Sequence, residues 1–190
     1  MAKDLIIGGI SNYDWNKVQY WVNSIQRTGF KGDIVLCATN ITNETIEKLI
    51  SKGVKLVLYG SKTPWGIENT NKTAPHVERF FYIWNFLSQH KNDYRFCVVT
   101  DVRDVIFQED PTLFLKAKLH KSRMVISSEG LCYNDEPWNN NNMLEAFGPF
   151  FQEFYGDRLI YNVGVIGGYI GEVTDTLLLL FQMSMNRPIP

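Results

Sequence analysis

Two aspartates that follow an apolar segment are the residues of this sequence whose chemistry is most readily interpreted. Asp101 and Asp104 come after residues 96–99, a run of strand-forming residue types. Because open α/β sheets bind ligands at the carboxyl ends of their strands, we expect both carboxylates to lie at a ligand site. Neighbouring carboxylates raise each other's pKa unless a cation lies near them. Hard oxygen ligands select Mg²⁺ or Mn²⁺, so the pair predicts a site for one of these cations.

Three further polar or small residues are candidates for the same site. Arg79 is a cation in the first turn of the helix predicted for residues 76–90, which leads into the acidic strand. It is either a surface salt-bridge partner or a diphosphate contact, because guanidinium matches phosphate oxygens bidentately. Asn162 and Gly164 interrupt the apolar segment 159–168. A glycine inside a strand often marks the close approach of a ligand or of another backbone.

The first sixty residues alternate between strand and helix patterns. Strands are predicted at residues 5–10, 33–38 and 54–59. A helix follows each of the first two, and Asp14 is the predicted cap of the first helix. The alternation predicts a largely parallel sheet with helices on both faces. Gly8 and Gly9 end the first strand, but no third glycine opens the helix, so we reject a dinucleotide-binding fingerprint.

The second half of the chain predicts shorter elements and one polar segment. Strand 124–127, helices 113–119 and 174–185, and a helical pattern over 143–155 broken at Gly148-Pro149 are predicted. Residues 130–142 combine aromatic residues, acids and a run of asparagines. This segment is either a sugar-binding loop, in which rings cover C–H faces and amides meet hydroxyls, or a disordered asparagine-rich loop.

Length, charge and cysteine use restrict the class of protein. The 190 residues fit one domain, and a net charge of −1 gives no bulk electrostatic basis for binding nucleic acid or anionic membrane. Cys37 and Cys97 lie in apolar runs and Cys132 is distant from both, which indicates unpaired thiols in a reducing compartment. The sequence has no secretion-signal pattern and no apolar run that could span a bilayer, so we expect a cytoplasmic protein.

The sequence resembles GT-A-type, nucleotide-sugar-dependent glycosyltransferases in two segments. These are Thr100-Asp-Val-Arg-Asp-Val-Ile-Phe-Gln-Glu-Asp-Pro111, with an acidic strand end, and Tyr161-Asn-Val-Gly-Val-Ile-Gly-Gly168, with an Asn-x-Gly strand. Similar domains occur in bacterial and large-virus enzymes that build surface glycans. The resemblance implies an α/β fold: a single GT-A-type (Rossmann-like) domain over residues 1–190, with a mostly parallel central sheet flanked by helices. The chain is then either a whole protein or the excised N-terminal module of a longer one.

The acidic motif departs from the family pattern in its spacing. The family has one residue between the two aspartates, whereas Val102 and Arg103 separate them here. Counting back from Asp110-Pro111, the resemblance makes Asp104 the principal metal ligand and Asp101 a ribose, water or metal contact. Arg103 either neutralises the two acids or points into the fold.

The resemblance also implies a reaction and its ligands. A hexose or deoxyhexose would move from a nucleotide-diphosphate sugar, which we expect to be a UDP-sugar, to a glycan or glycoconjugate acceptor. Mn²⁺ or Mg²⁺ would stabilise the leaving diphosphate. The implied donor contacts are Gly9, Ile10, Asn12, Tyr13, Arg79, Asp101, Arg103, Asn162 and Gly164.

The catalytic base is the least determined part of the site. An inverting transferase needs a carboxylate to deprotonate the acceptor hydroxyl, whereas a retaining one does not need it in the same place. Asp157 is the first candidate and Glu129 the second, and either is equally well explained as a solvated loop acid. A dehalogenase-type phosphatase would need its two aspartates two residues apart, so we reject it. A non-catalytic module that binds a nucleotide sugar or a glycan remains the alternative.

Overall fold

A six-stranded sheet forms the centre of the part of the chain that the computed structural model describes, which is residues 2–60, 75–119 and 122–186. The strands are β1 (Lys3–Ser11), β2 (Asp33–Thr39), β3 (Lys55–Tyr59), β4 (Tyr94–Thr100), β5 (Met124–Cys132) and β6 (Leu159–Tyr169). The helices are α1 (Trp15–Arg27), α2 (Asn43–Ser51), α3 (Pro75–Gln89), α4 (Pro111–Lys118), α5 (Pro137–Phe147), α6 (Pro149–Tyr155) and α7 (Ile170–Asn186). Within the described ranges, no helix is both long and apolar enough to cross a bilayer.

The sheet is mostly parallel, which confirms the architecture predicted from the strand–helix alternation. Its strand order is β3-β2-β1-β4-β6-β5. β1 runs parallel to β2 and β4, and β2 runs parallel to β3. Only β6 among these strands is reversed, and it is antiparallel to both of its neighbours. The carboxyl ends of β1, β2 and β4 therefore meet at one edge of the sheet, which we call the carboxyl edge.

Apolar side chains cover both faces of the sheet. Alternate residues of a strand point to opposite faces, so Ile6 packs with Trp21 of α1 while Leu5 and Ile7 pack with Ile83 of α3. All five side chains are fully buried. Burying a large aliphatic side chain contributes about 1.5–3 kcal/mol. The core on each face therefore holds α1 and α3 against the sheet, and both helices reach the carboxyl edge.

Helix α1 begins where the sequence predicts and also anchors the acidic strand. The Asp14 carboxylate accepts a hydrogen bond from the backbone N–H of Lys17 at 3.0 Å, as a helix N-cap does. Seven residues later, the buried indole N–H of Trp21 donates to the hydroxyl of Thr100 at 2.8 Å. Thr100 is the last residue of β4, so this bond fixes the backbone immediately before Asp101.

Strands β5 and β6 continue past the carboxyl edge as a two-stranded extension, residues 127–164. Thr100 pairs with Val165, whereas Ser128 and Cys132 of β5 pair with residues of β6 that lie beyond the end of β4. The 3₁₀ turn Tyr133–Asp135, α5 and α6 connect the two strands. Strand β5 is thus longer than the predicted residues 124–127.

Residues 130–142 do not form a loop, because they end β5, form a 3₁₀ turn and begin α5, whereas sugar binding by this segment stays a prediction. Pro137 occupies the first turn of α5, where its missing N–H costs no hydrogen bond. The Glu136 carboxylate accepts hydrogen bonds from the N–H groups of Trp138 at 3.3 Å and Asn139 at 2.6 Å. These local groups start a helix that the asparagine run alone does not favour.

A charged network joins the four parallel strands at the opposite, amino edge of the sheet. Asp33 of β2 accepts hydrogen bonds from Lys3 of β1 at 3.2 Å, Lys55 of β3 at 2.7 Å and the hydroxyl of Tyr94 of β4 at 2.9 Å. Burial raises the pKa of Asp33, but these three donors outweigh it, so the pKa lies below its ordinary value. The network therefore stabilises the ionised carboxylate.

Candidate functional site

A cleft of about 290 Å³ opens at the carboxyl ends of β1 and β2, beside the first turn of α3. Four of the residues predicted to contact a donor line it: Gly9, Ile10, Tyr13 and Arg79. The cleft lies where parallel sheets commonly bind ligands. Its other lining residues are Ser11, Cys37, Thr39, His76, Glu78 and Tyr82.

Gly9 allows helix α3 to approach the sheet closely enough to bring Arg79 to the cleft. A Cβ atom added to Gly9 would lie 2.6 Å from the Cβ of Arg79 and 3.5 Å from its Cα. Carbon atoms do not tolerate such a contact, so a larger residue would push the helix away from β1. The close approach at this glycine is therefore between two protein segments.

Arg79 forms an ion pair with Asp101 across the carboxyl edge. The two side chains are 19% and 30% exposed, so water screens the pair only partly. The Nε–H of Arg79 is buried and has no hydrogen-bond partner among the described residues. The backbone N–H of Asp101 donates to the carbonyl of Gly164 at 2.9 Å, which links the acidic strand to β6.

Asn162 and Gly164 lie next to Asp101, as their predicted role requires. A Cβ atom on Gly164 would lie 3.1 Å from the amide oxygen of Asn162 and 3.4 Å from a carboxylate oxygen of Asp101. The Asn162 oxygen accepts from the N–H of Gly164 at 3.0 Å and from the hydroxyl of Ser127. The same hydroxyl accepts from the N–H of Val165 at 3.2 Å. These bonds hold the Asn162 side chain in place beside the acidic strand.

The unusual spacing of the two acids follows from the burial of Val102. Its side chain is 3% exposed and contacts the position where Gly8 lacks a Cβ atom. Arg103 and Asp104 then lie on the exposed side of the loop between β4 and α4. Arg103 thus does not point into the fold, and the cation that pairs with Asp101 is Arg79. The Asp104 carboxylate has no hydrogen bond or ion pair to any residue of the described ranges.

By residue type, the carboxylates of Asp101 and Asp104 are suitable oxygen ligands for a divalent cation that shares its coordination with a phosphate ligand. The described residues contain no cluster of three or more His, Cys, Asp or Glu side chains that would hold a metal without another ligand. Mg²⁺ and similar ions are commonly bound through one or two carboxylates together with substrate phosphates. No described residue pairs with the Asp104 carboxylate, whereas Asp101 is engaged by Arg79.

Asn12 lies at the end of β1 and not in the lining of the cleft. It has a left-handed backbone with φ of 57°, and its N–H donates to the carbonyl of Thr39 at 3.2 Å. Its side chain accepts a hydrogen bond from Asn40, which is also left-handed with φ of 49°. Asparagine tolerates this conformation better than most residues, so the two asparagines shape the turns after β1 and β2.

The two candidate bases lie on the β5–β6 extension. Glu129 is exposed and accepts from the side chain of Asn139 at 3.3 Å. Asp157 is exposed and accepts from the side chain of Asn134 at 2.9 Å. The register places Leu159 opposite Cys132, and five residues of strand separate it from Gly164, which is about 16 Å. Among the described residues, neither acid forms a hydrogen bond or ion pair with Asp101 or Arg79.

Several residues at the site were not identified from the sequence. Thr39 ends β2 at the carboxyl edge, a position that the strand pattern could have indicated. Ser127 ends the predicted strand 124–127 but gave no sign that it would bind Asn162. Burial and the nearby Glu78 raise the pKa of Tyr82, and burial raises the pKa of the Cys37 thiol. Both groups therefore remain neutral hydrogen-bonding or apolar walls of the cleft at pH 7.

Comparison with known proteins identifies the fold. No protein-family model and no curated protein matches the sequence. The structure of glucosyl-3-phosphoglycerate synthase from Mycobacterium tuberculosis with UDP is 14% identical, with a TM-score of 0.53, over 94% of this chain and 64% of that chain. The complex of that enzyme with Mn²⁺, UDP and glucosyl-3-phosphoglycerate is 13% identical, with a TM-score of 0.52, over 98% of this chain and 66% of that chain.

This likeness is one of fold. The chain spans less than two thirds of the length of those solved structures, and the sequence identity is low. The strand order and the mostly parallel sheet flanked by helices nevertheless agree with the architecture implied by the sequence motifs. The chain has the GT-A-type fold of nucleotide-sugar glycosyltransferases.

Proposed function

We propose that this protein transfers a sugar from a nucleoside diphosphate sugar, with UDP as the expected nucleotide, to a glycan acceptor. The observation that carries the proposal is the arrangement at the carboxyl edge. The Arg79–Asp101 pair lies beside a cleft, and the adjoining loop carries the Asp104 carboxylate, which no described residue pairs with. This set of groups combines a guanidinium for phosphate oxygens with two oxygen ligands for a hard cation.

The cleft is the proposed site of the nucleoside. Gly9, Ile10 and Tyr13 form its wall, and the absence of a side chain at Gly9 lets α3 bring Arg79 into the same lining. Its volume of about 290 Å³ is at the lower end of the range for small-molecule sites. Arg79 lies in the same lining, so a diphosphate attached to a nucleoside in the cleft would meet the guanidinium.

Mn²⁺ or Mg²⁺ is the proposed cofactor, held by Asp104 with Asp101 as a second ligand. Such an ion would neutralise charge that develops on the diphosphate as the glycosidic bond breaks. Asn162 and Gly164 are the proposed contacts of the donor sugar, because they adjoin the Asp101 carboxylate. The β5–β6 extension rises beyond the same edge and is the proposed location of the acceptor.

A binding screen tests the proposal. UDP-sugars with Mn²⁺ should raise the melting temperature, since a ligand at 100 times its Kd stabilises the folded state by about 2.7 kcal/mol. Asp104→Asn should weaken Mn²⁺-dependent UDP binding by about tenfold or more, which corresponds to about 1.4 kcal/mol or more. Isothermal titration of UDP with and without Mn²⁺ measures this change.

A matched control distinguishes the metal ligand from a general loss of charge. Glu109→Gln removes another exposed carboxylate from the same loop and should leave UDP binding unchanged. If no uridine, guanosine or thymidine diphosphate sugar stabilises the protein, the proposed function is wrong. If Asp104→Asn binds Mn²⁺ and UDP like the unmodified protein, the metal assignment is wrong.

The position of the candidate bases supports a second function, that of a non-catalytic module that binds nucleotide sugars or glycans. Among the described residues, neither Glu129 nor Asp157 bonds to Arg79 or Asp101, and each is engaged by an asparagine instead. A binding module needs no base. Release of UDP from a bound UDP-sugar, with or without glycans, would exclude this alternative. Stable binding without any release would support it over the transferase.

A further inference from the structure

We infer that the Arg79–Asp101 pair couples the binding of the divalent cation to the binding of the diphosphate, an inference that rests on the proposed function. While the ion pair is intact, the Arg79 guanidinium occupies the Asp101 carboxylate that would bind the cation. The carboxylate in turn occupies the guanidinium that would bind the diphosphate. A cation that takes Asp101 as a ligand must displace Arg79. A diphosphate that takes Arg79 releases Asp101. Binding of either ligand therefore releases the side chain that binds the other ligand.

The pair is held closed by the backbone around it. The close approach at Gly9 fixes α3 so that the guanidinium reaches the end of β4. The Asp101 N–H is bonded to Gly164 at 2.9 Å, and the preceding residue, Thr100, is bonded to Trp21 at 2.8 Å. The Asp101 backbone cannot easily move away, so exchange of partners must occur through the side chains.

Charge opposes a cation at Asp101 while Arg79 remains there. The charges of Arg79 and Asp101 cancel, so of the two proposed metal ligands only Asp104 is available to a cation. A divalent ion that approached Asp101 would also meet the guanidinium charge across a partly buried contact, where water screens poorly. The structure therefore predicts weak binding of Mn²⁺ in the absence of a nucleotide.

The hydrogen bonds of Arg79 favour the exchange when a diphosphate is present. The described residues leave its buried Nε–H without an acceptor, so none of them competes with a ligand for this donor. Phosphate oxygens accept such donors in pairs. Because Arg79 lines the nucleotide cleft, a bound diphosphate can supply these acceptors and leave Asp101 to the cation.

Thermodynamic linkage predicts the direction in which loss of Arg79 changes the affinity for each ligand when it is measured alone. Arg79→Met should bind Mn²⁺ about tenfold more tightly than the unmodified protein when no nucleotide is present, because Asp101 is released. The same variant should bind UDP about tenfold more weakly in EDTA, because the guanidinium is lost. The signal of free Mn²⁺ in electron paramagnetic resonance and isothermal titration of UDP provide the two affinities without an activity assay.

The reciprocal variant keeps the test decisive if Arg79→Met folds poorly. Asp101→Asn releases Arg79 and should strengthen UDP binding in EDTA, whereas Asp104→Asn removes the same charge from the loop without freeing Arg79. Arg103→Met is the matched control for the cation, since it removes an exposed positive charge near Asp104. It should change Mn²⁺ affinity much less than Arg79→Met.

The outcomes separate this inference from the proposed function. If the unmodified protein binds neither UDP nor Mn²⁺ with UDP, both are overturned. If it binds them but Arg79→Met leaves the affinity for Mn²⁺ alone unchanged or lower, the coupling is overturned and the proposed function stands. The coupling is also overturned if Arg103→Met tightens Mn²⁺ binding as much as Arg79→Met does.

Discussion

Gly9 illustrates how a residue without a side chain can determine the position of a charged one. The closest contact of a Cβ atom at this position would be with Arg79, whose guanidinium pairs with Asp101. A change at Gly9 would therefore be transmitted through α3 to the acidic strand. Gly9 has no functional side chain, yet the position of the Arg79 guanidinium depends on it.

Gly9→Ala should therefore destabilise the protein and weaken UDP binding together. The added methyl group would force α3 outward, and overpacking of this kind costs about 1–3 kcal/mol. Gly171→Ala is the matched control, because a Cβ atom there meets nothing within 4 Å and the residue lies in α7. Urea unfolding and UDP titration measure both effects. Equal free energies of unfolding for the two variants would show that α3 moves outward without an energetic cost.

Part of this arrangement could be predicted from the sequence and part could not. The acidic strand end, the alternation of β1 to β3 with helices, and the Asp14 cap depend on local patterns, and each is found where the pattern indicates. The partner of Arg79 lies 22 positions away in the chain, so only the packing of α3 against β1 decides between a salt bridge and a diphosphate contact. The structure contains the salt bridge, and the diphosphate contact remains a prediction.

At the scale of elements, the β5–β6 extension differs in charge from the rest of the site. Residues 127–164 contain six carboxylates and one arginine, so their formal net charge is −5. They also expose aromatic side chains, among which Trp138 is 70% and Phe150 is 80% exposed. Aromatic platforms and a negative charge favour an uncharged glycan over an anionic acceptor. The location and charge of this element therefore agree with the proposed acceptor.

The start of α5 should depend on the Glu136 side chain. Its carboxylate caps two N–H groups, and the hydrogen bond from Asn139 is the main reason why its pKa lies below the ordinary value. Glu136→Ala should speed amide hydrogen exchange at Trp138 and Asn139, and the effect should fade in acid, as the carboxylate becomes protonated in the unmodified protein. Glu153→Ala, an exposed acid of α6, is the control. Unchanged exchange in Glu136→Ala would contradict the capping role.

The asparagine run shows why the sequence did not determine this element. Asn has low helix propensity, so residues 139–142 indicate a loop when taken alone. Pro137 and the Glu136 cap favour a helix start, and Met143 and Ala146 are buried on the inner side of α5. Tertiary packing of that side decides the outcome. The reversed direction of β6 likewise depends on this long connection, whose path no local pattern specifies.

At the scale of the whole molecule, the amino edge of the sheet is joined by charge while the carboxyl edge holds the site. Asp33 contacts one residue on each of the other three parallel strands. Its side chain is 14% exposed, so these hydrogen bonds are shielded from water more than most surface ion pairs. The network therefore belongs to the stability of the sheet and not to ligand binding.

Asp33→Asn should lower the free energy of unfolding at neutral pH by about 1–3 kcal/mol, the usual range for hydrogen bonds to a charged group. The folded-state pKa of Asp33 lies below its ordinary value of 3.8. The stabilisation is thus present above pH 3.8 and is lost as the pH falls through the lowered folded-state pKa. The two proteins should therefore converge in stability in strong acid.

Urea unfolding of both proteins between pH 2.5 and pH 7, with pH points spaced by about half a unit around the carboxylate range, measures this convergence. Asp175→Asn is the control, because Asp175 pairs with Lys91 but is 78% exposed. It should change stability by less than about 1 kcal/mol at any pH. A constant difference between the Asp33→Asn variant and the unmodified protein would contradict the role of the ionised carboxylate.

The separation of these two edges has a consequence for engineering. Strand β1 begins at Lys3, beside Asp33, and its nine residues rise about 30 Å to the cleft. Substitutions that far apart and without shared partners usually have additive effects. Substitutions around Asp33 should therefore change the free energy of unfolding, and substitutions around Arg79 should change ligand preference. The two sets of effects should be independent. A library built at one edge can be combined with a library built at the other.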